Sequence, residues 1–397
     1  MHSHGTKILL LSKAHRLSNY QTKIHLILCI NWLGEGSKFA KEILHHDISL
    51  LRHGVFYWCT YPELVTKGNM IFIISTALFG TFVLTWVVIK VLSQRLLDMP
   101  THRSSHVLPT PRGGGIAIAT TTVLIFTFIT FCTSHPLPSF TFAMLLAAMA
   151  GLGALDDFFN LNIYPRLFTQ AILSLVGIYF CVENLELTIF ERILIGLVLT
   201  LGLLWFINLY NFMDGINGLA VIQAICTCAT MGIIFHATGK HTEAINFLLI
   251  LASACAGFIY WNFPKAKIFM GDTGSLLLGF AIGFIAIKTS IGSLEIGAAW
   301  LIMLAIFISD STYTLGVRTL SGQKFYLPHR SHSYQKLAAI LKSHTKVTLA
   351  VAVTNILWLF PLALLCIYKT INPAIALIIA YTPFLVLAIK LKAGHVG

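Results

Sequence analysis

The chain of 397 residues is 56% hydrophobic and only 11% charged, with a mean hydropathy of +0.80 and a formal charge of +12. A soluble domain carries roughly a quarter of its residues as charges, so this composition excludes a water-covered globule and points to an all-α, polytopic membrane protein. The 27 Lys and Arg are scattered through short loops with no basic helix or aromatic-basic stripe, which excludes nucleic acid as a partner and favours acidic lipid surfaces.

Residues 1–69 differ from the rest. They hold seven of the 16 His, and their apolar pieces (IHLILCINWL, GVFYWCTY) are too short to span a bilayer. No signal-peptide pattern stands out. Met70 directly precedes the first full-length apolar run, so 1–69 is expected to be an extension, either disordered or a translated upstream segment, ahead of a membrane domain over 70–392. Its His cluster reads as solvated tail more readily than as a metal site.

From Met70 onward about eleven segments are long enough, or nearly so, for a hydrocarbon core of about 30 Å. They cover roughly 70–91, 113–133, 138–155, 166–182, 188–208, 217–237, 244–261, 274–288, 296–317, 347–368 and 372–391. Cys132, Cys181, Cys226, Cys228, Cys255 and Cys366 fall inside them without a CxxC pair, as buried reduced thiols would. Loops 90–112, 156–166, 262–273 and 318–346 and the segment after 390 hold most of the Lys and Arg, which marks them as cytoplasmic.

The unusual polar stretches all fall on that side. In chain order they are LDMPTHRSSHVLPTPRGGG, ALDDFFN, NLYNFMDGINGLA, WNFPKAKIFMGDTGS and LPHRSHSYQK. One-sided accumulation suits an active site at the cytoplasmic face. A channel or transporter more often places polar residues at mid-membrane.

Each stretch offers a part. In PTPRGGG, Arg112 and three glycines could cradle phosphate at the start of a helix, or simply break the helix at the membrane edge. Asp156 and Asp157 end one span, Asp214 follows another, Asp272 precedes a third, and Asp310 sits within a fourth. Clustered carboxylates at low dielectric call for a cation such as Mg²⁺ or Mn²⁺; solvation of each by headgroup water is the competing reading. Asn208, Asn211 and Asp214, spaced by three, share a face if their helix continues past the membrane edge, and Gly215 then permits close approach of a ligand. Phe269 could stack on a planar base. His329 and His332, with Arg330 between them, could bind diphosphate or act as acid and base. Together the parts read as phosphoryl-type chemistry.

With these motifs in this order over residues 95–345, the sequence resembles the polyprenyl-phosphate N-acetylhexosamine-1-phosphate transferases of glycosyltransferase family 4. The residues that carry the resemblance are RSSHVLPTPRGGG (103–115), the Asp156–Asp157 pair, NLYNFMDGINGLA, FMGDTGS and HRSHSYQ, with the Asp310, Arg318 and Gly322 run before the last. The resemblance implies transfer of a sugar 1-phosphate from a UDP-sugar to undecaprenyl phosphate, with release of UMP and use of Mg²⁺ (Mn²⁺ as the alternative), in a bacterial inner membrane. It implies Asp156, Asp157, His329 and His332 at the catalytic centre, and Asp272 with Asp156 on the metal. Arg112, Asn208, Asn211, Asp214, Gly215, Asn217, Phe269 and Arg330 would bind substrate. The implied partners are undecaprenyl phosphate, the UDP-sugar and membrane lipids, with a homodimer left open. Two positions depart from the family pattern: Asn160 stands where the DDxxD-like motif has its third acid, and Asn217 where DGxDG has its second. PTPRGGG resembles the branch that starts O-antigen, using UDP-N-acetylhexosamines or 6-deoxy derivatives, more than the phospho-MurNAc-pentapeptide translocases.

Overall fold

The computed structural model describes residues 70–92, 96–98, 109–131, 136–183, 185–323 and 329–395. The expected 1–69 extension and the RSSH part of the first motif lie outside the described residues. Among the described residues fourteen α-helices follow in chain order: α1 Met70–Leu92, α2 Gly115–Phe131, α3 Pro136–Phe159, α4 Ile163–Val182, α5 Ile189–Phe212, α6 Leu219–Thr238, α7 Thr242–Asn262, α8 Gly271–Ser290, α9 Leu294–Met303, α10 Ala305–Leu320, α11 Ser333–Leu341, α12 His344–Thr354, α13 Phe360–Ile367 and α14 Pro373–Lys390. The one extended element among the described residues is a two-residue antiparallel pair, β1 Leu97–Asp98 with β2 Thr110–Pro111, in the register Leu97 to Pro111.

Among the described residues nine helices are long and apolar enough to cross a membrane, α12 and α13 counting as one. The α9–α10 pair adds a tenth, broken span, and the 17-residue α2 completes the set expected from hydropathy. The protein is an all-α, multi-pass membrane protein. Exposed Ile, Leu, Val and Phe side chains cover its outer faces, as a lipid solvent requires. The bundle is built around α8, whose apolar window is 78% buried, against 22% for α1 and 17% for α14.

Local chemistry explains where the helices begin and end. α5 starts on a capping box in which Thr188 accepts from the Glu191 N–H and the Glu191 carboxylate accepts from the Thr188 N–H. α6 stops at Gly239, which takes the left-handed conformation at φ +66°.

Three features depart from the sequence expectations. The span expected over 296–317 is bent by 71° at Leu304, where Met303 leaves its carbonyl to accept from Gln223 Nε2 at 2.7 Å. The adjoining α12 and α13 are joined by a π turn, Asn355–Leu359, immediately before Pro361. Asn355 and Gln223, both fully buried, bond each other across this region. Finally, α3 and α5 run further than hydropathy marks, to Phe159 and Phe212, so Asp156, Asp157, Asn208 and Asn211 all stand on helices.

Candidate active site

The first polar contact at the site end of the bundle is a helix cap supplied by another helix. The opening turn of α8 has backbone N–H groups with no partner inside their own helix. Asp157, near the end of α3, satisfies them: Oδ1 accepts from Asp272 N–H at 2.9 Å, and Oδ2 from Thr273 N–H at 3.0 Å and Thr273 Oγ1 at 2.6 Å. The α8 dipole favours a negative charge there. Gly271 leaves room for it, since a Cβ at that position would stand 2.6 Å from Asp157 Oδ1.

Asp156 faces the other way. Its carboxylate takes Arg166 Nη1 at 2.6 Å and Leu161 N–H at 2.8 Å, so both oxygens are engaged. Asn160 closes α3 at φ +48°, a conformation that Asn tolerates better than most residues, and accepts from Arg112 Nη2 at 3.0 Å. The same nitrogen donates to the Asp157 carbonyl at 2.5 Å. The Asn that departs from the family pattern therefore ends the helix and braces the arginine of PTPRGGG.

The glycines of that motif serve close packing. Gly114 and Gly115 donate their N–H groups to the carbonyls of Phe269 and Met270 at 2.9 and 2.8 Å, and Phe269 N–H returns a bond to Pro111. A Cβ on Gly115 would lie 2.2 Å from the Gly274 nitrogen, so α2 and α8 touch backbone to backbone. The phosphate-cradle reading of Gly114 and Gly115 is corrected accordingly: both donors are already committed to protein carbonyls.

From α5, Asn211 donates to Asp272 Oδ1 and, at 2.9 Å, to Ser275 Oγ. Asp214 lies in the turn beyond α5, its N–H donating to the Asn211 carbonyl at 3.2 Å, and its carboxylate makes no hydrogen bond or ion pair among the described residues. Burial, then the nearby Asp272 and Asp157 carboxylates, hold its pKa well above the usual range. Asn208 points elsewhere: it is buried and bonds Gln170 of α4 at 2.8 Å. The three-residue spacing thus does not bring Asn208 to the same partners as Asn211.

Gly215 sits beneath Tyr334, whose hydroxyl would be 2.1 Å from a Cβ there and which donates to the Phe212 carbonyl at 2.9 Å. Asn217 donates to the Pro264 carbonyl at 3.1 Å. It also lines a cavity of about 420 Å³ with Arg330, Gln335, Lys342, Ser343 and His344.

A second carboxylate cap builds the histidine segment. Asp310 of α10 accepts from the Ser333 and Tyr334 N–H groups, each at 2.8 Å, at the start of α11. His332 Nδ1 lies 3.3 Å from the same carboxylate, within hydrogen-bond reach. The His332 ring, 2% exposed, stacks on His329 with centroids 4.9 Å apart and on Phe212 at 6.2 Å. Burial pushes the His329 imidazole down to about 3, with help from His332 and Arg318 against Asp310. Arg318, 7% exposed, makes no side-chain hydrogen bond among the described residues.

Asp156, Asp157, Arg112, Asn211, Asp214 and Asp272 therefore meet at one end of the bundle, with Gly215 and Tyr334 leading to His329 and His332. The sequence reading missed the partners Arg166 and Thr273 and the capping role of Asp310. Only a basic residue nine or ten positions beyond the acidic pair hinted at the first of these. Among the described residues no three Asp, Glu, His or Cys side chains stand together as a complete metal site.

The glycosyl transferase family 4 model matches residues 139–290, which contain the acidic pair, Asn211, Asp214 and Asp272. The undecaprenyl-phosphate alpha-N-acetylglucosaminyl 1-phosphate transferase of Escherichia coli O157:H7 is 31% identical over 282 residues, covering 66% of this chain and 74% of that one. The chain belongs to glycosyl transferase family 4. A Bacillus subtilis protein named probable undecaprenyl-phosphate N-acetylglucosaminyl 1-phosphate transferase is 28% identical, over 73% of this chain and 82% of its own length. The phospho-N-acetylmuramoyl-pentapeptide-transferase of Pelagibacter ubique is 29% identical, over 59% of this family 4 chain and 74% of its own. The resemblance carried by the sequence motifs is thus confirmed at the level of the family.

Proposed function

We propose that the chain transfers an N-acetylhexosamine 1-phosphate from a UDP-sugar to undecaprenyl phosphate, releasing UMP and starting O-antigen or another surface polysaccharide. The observation that carries this reading is a pair of open carboxylates, Asp214 and the second oxygen of Asp272, at the end of a membrane bundle where the motifs meet. The names of the E. coli and B. subtilis relatives support the polyprenyl phosphate acceptor and make UDP-N-acetylglucosamine the first donor to test. The excess of Lys and Arg at this end supports a cytoplasmic orientation in a bacterial inner membrane.

The donor set fits Mg²⁺, which commonly takes one or two carboxylates and fills its remaining positions with water and substrate phosphates. Asp272 and Asp214 would hold it, with the Asn211 amide oxygen beside them; Asp156 is already paired with Arg166. When bound, the cation neutralises diphosphate charge and eases departure of the nucleotide phosphate. Asp157 fixes the first turn of α8 and so the position of Asp272. Arg112, braced through one nitrogen, keeps its remaining donors for a phosphate. The cavity between Asn217, Arg330 and Lys342 suits an anionic polar ligand, and Phe269 would stack on the uracil. His332, oriented by Asp310, and the neutral His329 would bond the diphosphate or relay a proton.

The test is UMP release by the purified chain with undecaprenyl phosphate, Mg²⁺ and a donor panel. UDP-N-acetylglucosamine, a 6-deoxy-N-acetylhexosamine donor and UDP-MurNAc-pentapeptide form the panel, the last because of the P. ubique relative. UMP from one of the first two supports the reading. UMP from the pentapeptide donor alone would favour the translocase, and none from any donor would end the enzyme assignment.

A further inference from the structure

The turn that follows α14 lies against the loop bearing His329 and His332. Gly394 N–H donates to the Ser331 carbonyl at 2.9 Å. Lys336 of α11 directs its ammonium to the carbonyls of Lys392 and His395 at 2.6 and 3.2 Å. Gln323, just beyond α10, donates to the Gly394 carbonyl at 3.5 Å. Ala393 is fully buried in this contact.

Gly394 excludes a side chain on two independent grounds. Its φ is +82°, and a Cβ would stand 2.7 Å from the Thr314 carbonyl oxygen and 2.8 Å from Val317 Cβ. The backbone must approach α10 this closely to reach Ser331. Ser331 is the residue between the two histidine contacts: its Oγ lies 2.9 Å from His329 Nδ1, and it directly precedes His332. Asp310 anchors the α11 side of the loop through its cap. Gly394 anchors Ser331 from behind.

We propose that the turn 391–395 is a positioning element of the active site, holding Ser331 so that the His329 and His332 rings keep their stacked arrangement. Its effect on turnover rests on the transferase reading above, whereas its effect on the order of the loop does not. Without the tie, the buried Ser331 carbonyl loses its partner and the loop gains a local opening.

The experiment compares the full-length protein with Gly394→Ala, Lys336→Met, Lys336→Arg and Gly239→Ala. Hydrogen exchange of segment 329–335 and steady-state kinetics are read in parallel. Gly394→Ala and Lys336→Met are expected to speed exchange in 329–335 about tenfold and to lower kcat by a similar factor, with a smaller change in KM for the UDP-sugar. Lys336→Arg, which keeps a donor to the two carbonyls, restores both. Gly239→Ala imposes similar backbone strain at the other end of the bundle, at φ +66° with no atom within 4 Å of its Cβ, and leaves 329–335 unchanged. Wild-type exchange in both Gly394→Ala and Lys336→Met would overturn the proposal, and so would faster exchange with an unaltered kcat. If the wild type releases no UMP from any donor, the transferase reading falls, and the exchange arm still decides whether the turn holds the loop.

Discussion

Asp157 and Asp272 are two carboxylates in one small volume, and substitution separates their roles. Asp157 accepts three hydrogen bonds at the start of α8. An amide there would turn an N–H donor toward backbone donors. Bonds to a charged acceptor contribute about 1.5–3 kcal/mol each, so Asp157→Asn should lower the melting temperature by several degrees and reduce turnover at least tenfold. Asp272→Asn removes charge from a cluster already crowded with acids, and should abolish turnover while the melting temperature stays level or rises. Differential scanning fluorimetry beside the UMP assay reads both; equal thermal losses in the two variants would contradict the division of roles. His329 gives a pH signature. Its folded-state pKa of about 3 lies below the ordinary imidazole value of 6.5, so the unfolded chain binds the extra proton between those values and stability falls as pH drops through that window. Melting curves from pH 7 to 4 should show the decline, and His329→Gln should flatten that part of it.

Elements rather than residues carry the two predictions about packing. Gly115→Ala would place a Cβ 2.2 Å from the Gly274 nitrogen, forcing α2 and α8 apart. Overpacking of this kind typically destabilises by about 1–3 kcal/mol, and the displaced α8 should carry activity down with it. Gln223→Leu removes the side-chain donor to the buried Met303 carbonyl and to Asn355 Oδ1, while Asn355 Nδ2 keeps the Val351 carbonyl; a buried group left unpaired costs about 1–3 kcal/mol. The double change Gln223→Leu with Asn355→Leu should recover part of that loss, read as a melting temperature above that of the single variant. The elements also show what a sequence can reveal. Uninterrupted apolar runs marked all eleven segments because a bilayer-spanning helix must be apolar along its length. The break at Leu304 left no sign, since LIMLAIF contains neither Gly nor Pro and the bend is stabilised by Gln223 from another helix. The acidic pair was visible as an anomaly, but its partner Thr273 lies 116 residues away, a distance no local pattern spans.

The molecule as a whole has one chemically dense end. Lys265 and Lys342 lie at that end and Lys240 and Lys369 at the other, so the charge bias predicts opposite exposure. Single cysteines at 265 or 342 should react with an impermeant maleimide only after the inner face is opened, and cysteines at 240 or 369 in intact spheroplasts. Native Cys228, Cys255 and Cys366 are buried and give little background; the other five native cysteines, including the half-buried Cys181 and Cys226, are replaced by serine in these variants. The reverse labelling pattern would place the site on the outside.

The two carboxylate caps divide the site into a frame and a variable part. Asp157 and Asp310 each tie the body of one helix to the beginning of another, so these two positions tolerate little change without loss of stability. Around the cavity, Gln335 accepts from the His332 N–H and Asn217 donates to the Pro264 carbonyl, whereas the exposed Arg330, Ala339 and Lys342 side chains bear no such duty. Diversification toward new donor sugars is therefore expected to proceed at Arg330, Ala339 and Lys342, and libraries aimed at altered specificity should randomise these three positions while leaving both caps intact.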